Sequence, residues 1–106
     1  MSVELPRWVK IGAIRFAVQR CKIIDKDRST WGEINYRWAR IRIRGNRTIQ
    51  HQAVSLMHEI IHGALWTLGE HVLCENETFV ERLSESLLDT LWHTPGLLRY
   101  FANSKK

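Results

Sequence analysis

An α+β domain is the fold class this 106-residue sequence predicts, on two observations. Apolar residues alternate with polar ones before the middle of the chain and recur at helical spacing after it, the signatures of a half-buried sheet and of amphipathic helices. The length suits one core, and no repeat, low-complexity tract or linker divides the chain, so residues 1–106 are expected to form a single domain.

The strands come first. Ile14, Phe16 and Val18 alternate with Arg15, Ala17 and Gln19, and the stretch after Lys10 reads as a strand with Gly12 as a bulge. The polar segment from Asp25 to Thr30 reads as a turn. Trp31-Gly-Glu-Ile-Asn-Tyr and Ala39-Arg-Ile-Arg-Ile-Arg follow as the two arms of a hairpin. Together they predict a small N-terminal antiparallel sheet of about three strands.

After Gly45-Asn46 the period changes. Val54, Met57, Ile61, Ala64, Leu65 and Leu68 form an apolar stripe, and Gly69 is placed to end that helix. A second long helix starts near Asn76, a good N-cap, and buries Phe79, Val80, Leu83, Leu87 and Leu91. Pro95 and Gly96 interrupt it, leaving Leu97 to Phe101 as a short terminal element.

Composition narrows the function classes. Apolar residues make up 44% and charged residues 25% of the chain, which argues against disorder. No apolar run approaches the roughly 20 residues needed to span a bilayer, and Met1 to Lys10 lack the apolar centre of a signal peptide. Cytoplasmic residence without a membrane partner is expected. Cys21 and Cys74 have no CxxC spacing, so reduced thiols are expected and not a disulfide framework. The +5 formal charge gathers partly in Arg37, Arg40, Arg42, Arg44 and Arg47. Arg40, Arg42 and Arg44 alternate with Ile41 and Ile43 and read as the solvated face of a strand, with nucleic-acid binding the rival explanation.

The chemistry lies on the first helix, at His58-Glu59-Ile60-Ile61-His62, an HExxH motif. Residues four apart are separated by only about 40° around a helix, so both imidazoles reach one ion. Zinc takes such neutral nitrogens and keeps a position open for water when three protein groups bind it. Glu59 sits where it can take the water proton without ligating the metal. No histidine follows at metzincin spacing, so the third ligand is sought among Glu77, Glu81 and Glu85, one helical turn apart. A simple mirrored helix hairpin about the Gly69 to Glu75 connection favours Glu81. Tyr36, His51, His71, His93 and Tyr100 are candidates for steadying an oxyanion.

Trp31-Gly-Glu-Ile-Asn-Tyr, Ile41-Arg-Ile, His58-Glu-Ile-Ile-His and Glu77-Thr-Phe-Val-Glu-Arg-Leu-Ser together resemble the compact ImmA/IrrE-type zinc metallopeptidases of phages and mobile elements, over about residues 31 to 95. The resemblance implies a zincin-like fold, one Zn2+ per chain, hydrolysis of a protein or peptide substrate, and the host cytoplasm for a phage-encoded chain. In that family a glutamate in an E-x-x-A-[N/D] stretch completes the metal site. The match at Glu77-Thr-Phe-Val-Glu implies Glu77 as ligand and Glu81 as its supporting partner. Val80 and Glu81 depart from the alanine and the Asn or Asp of that stretch. The alternative from another class is a non-enzymatic phage accessory protein with a structural zinc, engaging nucleic acid or a host protein through its basic face.

Overall fold

The computed structural model describes residues 4–22 and 31–105. These residues form an α+β fold with a four-stranded mixed sheet and four helices. The turn expected at residues 25–30 lies outside the described residues. The strands are β1 (Trp8–Ile11), β2 (Ile14–Cys21), β3 (Gly32–Asn35) and β4 (Arg40–Arg44), in spatial order β1-β2-β4-β3.

Two expectations about the sheet are corrected. Gly12 is no bulge: it sits at φ +61° in the tight turn between Ile11 and Ile14, so the stretch around it is a hairpin of two strands, and the sheet has four. The sheet is also mixed and not antiparallel throughout. The hairpin of β3 and β4 is antiparallel, with Trp38 N–H donating to Asn35 Oδ1 at 2.9 Å in its connection. The inner arm β4, however, lies parallel to β2, which puts β3 on the edge. Alternation along a strand reports its faces and is silent about its neighbours' direction.

One face of the sheet carries the core. Phe16, Ile41 and Ile43 are fully buried, with Ile11 and Val18 beside them. Leu56, Ile60 and Ala64 of helix α1 (Ile49–Thr67) pack onto this layer. The other face holds Trp8, Lys10, Arg15, Arg40 and Arg42 by strand register. Its arginines are less solvated than the alternation suggests: Arg44 is buried and its Nε donates to the Lys22 carbonyl at 3.1 Å, while Arg42 is ion-paired with Glu33.

Helix α1 is capped by Thr48, whose hydroxyl accepts from His51 N–H at 3.1 Å, and it gives way at Gly69, whose φ is +79°. Its buried residues are Ser55, Glu59, Ile61, His62 and Gly63, while Leu68 is exposed. The expected apolar stripe is thus rotated towards the HExxH residues. Gly63 explains how. A Cβ there would stand 2.8 Å from Ile11 Cδ1 and 3.1 Å from Ile34 Cδ1, so its absence lets the helix lie close on the sheet.

A single helical turn, α2 (His71–Cys74), leads into α3 (Glu77–Trp92), which packs on α1. Asn76 caps α3 as expected, its Oδ1 accepting from Phe79 N–H at 3.1 Å. The buried line of α3 is Val80, Ser84 and Leu88, with Leu87 exposed, one position round from the stripe read in the sequence. A hydroxyl carries no apolar signal, yet Ser84 Oγ donates back to the Val80 carbonyl at 2.7 Å and is buried with its hydrogen bond made. Pro95 and Gly96 end α3, and α4 (Leu97–Asn103) follows. Among the described residues no helix is long and apolar enough to cross a membrane.

The Asn76 cap holds the helix at the residue that begins it, Glu77. Asn76→Ala should lower stability by about 1 kcal/mol in denaturant unfolding, and Asn76→Asp should restore most of it.

Candidate metal centre

The side chains of His58 and His62, one turn apart on α1, meet the carboxylate of Glu77 at the start of α3. Their Nε2 atoms are 3.1 Å apart. Glu77 Oε2 lies 2.9 Å from His58 Nε2, and Glu77 Oε1 lies 3.0 Å from His62 Nε2. Ligand atoms held at zinc distance in a tetrahedron are about 3.3 Å apart. These three donors fall within a few tenths of an ångström of that spacing, and together they can hold a metal ion.

The nitrogens that face each other are the ring tips. On His62 the other nitrogen, Nδ1, lies 3.7 Å from the Cys74 thiol, which itself donates to the His62 carbonyl at 3.3 Å. Tyr36 reaches the same sulfur, 3.5 Å from its hydroxyl, and its ring is stacked on Trp66 at 4.4 Å. His62 is therefore braced from behind, which presents Nε2 towards Glu77. Burial, the Cys74 thiol, and the charges of Glu59 and Glu77 all hold the Tyr36 phenol well above the ordinary range.

Glu59 lies where α1 meets the edge strand and shares one cavity lining with His58 and Glu77. Only 6% of it is exposed, and a Cβ on Gly32 would come within 3.1 Å of Glu59 Oε2. Its pKa is pushed up to about 8, first by burial and then by the nearby charges of Glu77 and Glu33. A divalent cation beside it acts in the opposite direction and favours the carboxylate. A cavity of about 390 Å³ opens over this ground, lined by Trp31, Gly32, His58, Glu59, Glu77, Glu81 and Glu85 among others.

Glu81, favoured by simple hairpin geometry, lines this cavity and is not one of the three clustered donors. The mirrored hairpin is centred too far along the chain, because the chain turns at once at the end of α1, at Leu68 and Gly69. The chain doubles back along α1, so that Cys74 already lies level with His62 and the first residue of α3 meets both histidines. Of the candidate oxyanion partners, only Tyr36 reaches this network, through Cys74. His51 is stacked on Trp31 at 5.0 Å, His93 pairs with Asp89 at 3.1 Å, and His71 and Tyr100 are exposed on α2 and α4. Cys74 and Gly32 were missed as parts of the site. A buried thiol and a strand glycine carry no motif, and only the doubling back of residues 68–76 brings Cys74 under a histidine.

Comparison with known proteins gives no match to a family model, to a curated protein or to a solved structure.

The Glu59 carboxyl sets the sign of a pH effect in metal-free protein. Its native pKa of about 8 exceeds the ordinary 4.5, so the native state binds the extra proton and is stabilised at low pH. Stability should fall as pH rises from about 5 to 8, by on the order of a few kcal/mol. Denaturant unfolding in chelator across this range should show the slope for the parent protein and a flatter one for Glu59→Gln.

Proposed function

We propose that this chain is a zinc-dependent metallopeptidase of the zincin-like, ImmA/IrrE type, holding zinc through His58, His62 and Glu77. The observation that carries the reading is the convergence of two ring nitrogens and a carboxylate within 3.1 Å of one another, beside a buried Glu59 and beneath an open cavity. A structural zinc is normally closed by four protein ligands. Here, among the described residues, three donors cluster, and the Glu77 side chain is 69% exposed, which leaves an approach from solvent.

Zinc, when bound, supplies a Lewis acid that polarises a carbonyl and acidifies water. The chain's own residues do the rest. Glu59 takes a proton from the attacking water at a carboxylate oxygen and returns it to the leaving amine. Its burial between α1 and β3 keeps competing solvent from the carboxylate. Gly32 leaves room for that carboxylate, and β3, on the edge of the sheet, offers backbone groups to an extended peptide. Cys74 and Tyr36 keep His62 aimed.

A second reading, a non-enzymatic binding protein that engages nucleic acid, is favoured by one feature: Trp8 is 48% exposed on the sheet face away from α1, with the Arg15 guanidinium 4.1 Å over its ring. Cleavage that depends on Glu59 separates the two.

Purified protein should carry about one zinc per chain. Chelator competition should show His58→Ala, His62→Ala and Glu77→Ala each weakening zinc binding by on the order of 100-fold or more, and Glu81→Ala by less. Glu59→Gln should retain zinc and lose peptide cleavage by roughly 100-fold or more. Loss of metal in that variant, or undiminished cleavage, would overturn the assignment.

A further inference from the structure

The cleft is more acidic than a metal site requires. Glu77 serves the cation and Glu59 the proton, yet Glu81 and Glu85 line the same cavity, and neither has an ion-pair or hydrogen-bond partner among the described residues. Glu77, Glu81 and Glu85 follow one another at four-residue intervals, an arrangement of like charges that destabilises a helix. The protein as a whole is basic, at +5, and among the described residues no lysine or arginine lines this cavity. A second feature points to a ligand in the same place. Glu59 is more than nine-tenths buried, has no hydrogen-bond partner among the described residues, and borders the cavity against Gly32.

Spacing defines the ligand. Residues four apart on a helix are separated by about 6 Å along its axis. Alternate residues of an extended peptide point to one side and are separated by about 6.8 Å. Two cationic side chains at alternate positions therefore match two carboxylates one turn apart, and each pairing relieves the repulsion between Glu81 and Glu85.

We infer that the cleft selects an extended basic segment of a polypeptide, with arginine or lysine at two alternate positions seated against Glu81 and Glu85. The inference rests on the cleft being a peptidase site and names its substrate class. Trp31 and Gly32 line the same cavity, so the segment passes between the edge strand and α3 and beside His58.

The test uses zinc-loaded Glu59→Gln protein, which should hold a peptide without cutting it, and fluorescence anisotropy of labelled Gly/Ala decapeptides containing Arg-Ala-Arg, Gln-Ala-Gln or Glu-Ala-Glu. The arginine peptide should bind at least about tenfold more tightly than the glutamine peptide, and the glutamate peptide most weakly. In the Glu81→Gln/Glu85→Gln background the three should converge, and in Glu81→Lys/Glu85→Lys the order should reverse. Zinc content and thermal unfolding of each variant check that the site and fold persist. Equal binding of the three peptides, no binding of any at millimolar concentration, or an arginine preference that survives the double glutamine change would overturn the inference. Failure of the peptidase reading shows differently, as absent cleavage by the parent protein with the arginine preference intact.

Discussion

The closeness of α1 to the sheet is the constraint on which the cleft depends. Gly63 allows it, because any side chain there would meet Ile11 and Ile34. With the helix drawn in, Glu59, one turn earlier, is pressed towards the edge strand, where Gly32 makes way for its carboxylate. Two missing side chains thus place one carboxylate. A side chain at Gly63 would have to displace the Ile11 and Ile34 methyls, and one at Gly32 would press on the Glu59 carboxylate.

That placement costs stability. The buried side of α1 includes Ser55, Glu59 and His62, positions a helix packed on a sheet would ordinarily give to aliphatic residues. The loss is offset locally. The Cys74 thiol lies against His62, and the apolar contact of α1 with the sheet passes to Leu56, Ile60 and Ala64. A chain this short has little core to spare, so such a concentration of polar burial on one helix is a mark of function.

Much of this was legible in the sequence, for reasons that differ by residue. His58, Glu59 and His62 are set by helical spacing alone, because the motif fits within two turns. The β3–β4 hairpin and the Asn76 cap follow from local patterns, and the structure holds both. The parallel pairing of β2 with β4 was not legible, since it depends on how a hairpin docks and leaves no trace in alternation. Residues did not by themselves choose between Glu77 and Glu81. Residues 68–76 fold back along α1, a tertiary event that helix spacing does not report, and this brings Glu77 to the two histidines. The apolar stripes mark the buried faces only in part: Ile61 and Val80 are buried, but so are Glu59, His62 and Ser84, which hydrophobicity does not report.

Charge connects these observations. Glu33, Glu59, Glu77, Glu81 and Glu85 are five of the eleven acidic residues in a chain of net charge +5. Four of them line a single cavity, and the fifth, Glu33, is close enough to act on Glu59. Glu33 is paired with Arg42. Like charges do not gather beside a buried carboxylate without something to hold them there, because each raises the cost of ionising the others. A cation between His58, His62 and Glu77 answers the inner pair, Glu59 and Glu77, and sits where the two ring nitrogens already point. It leaves Glu81 and Glu85, further along α3, still unbalanced. On the proposed reading, the inner carboxylates suit a resident ion and the outer ones a visiting cation, which would let one acidic wall serve both.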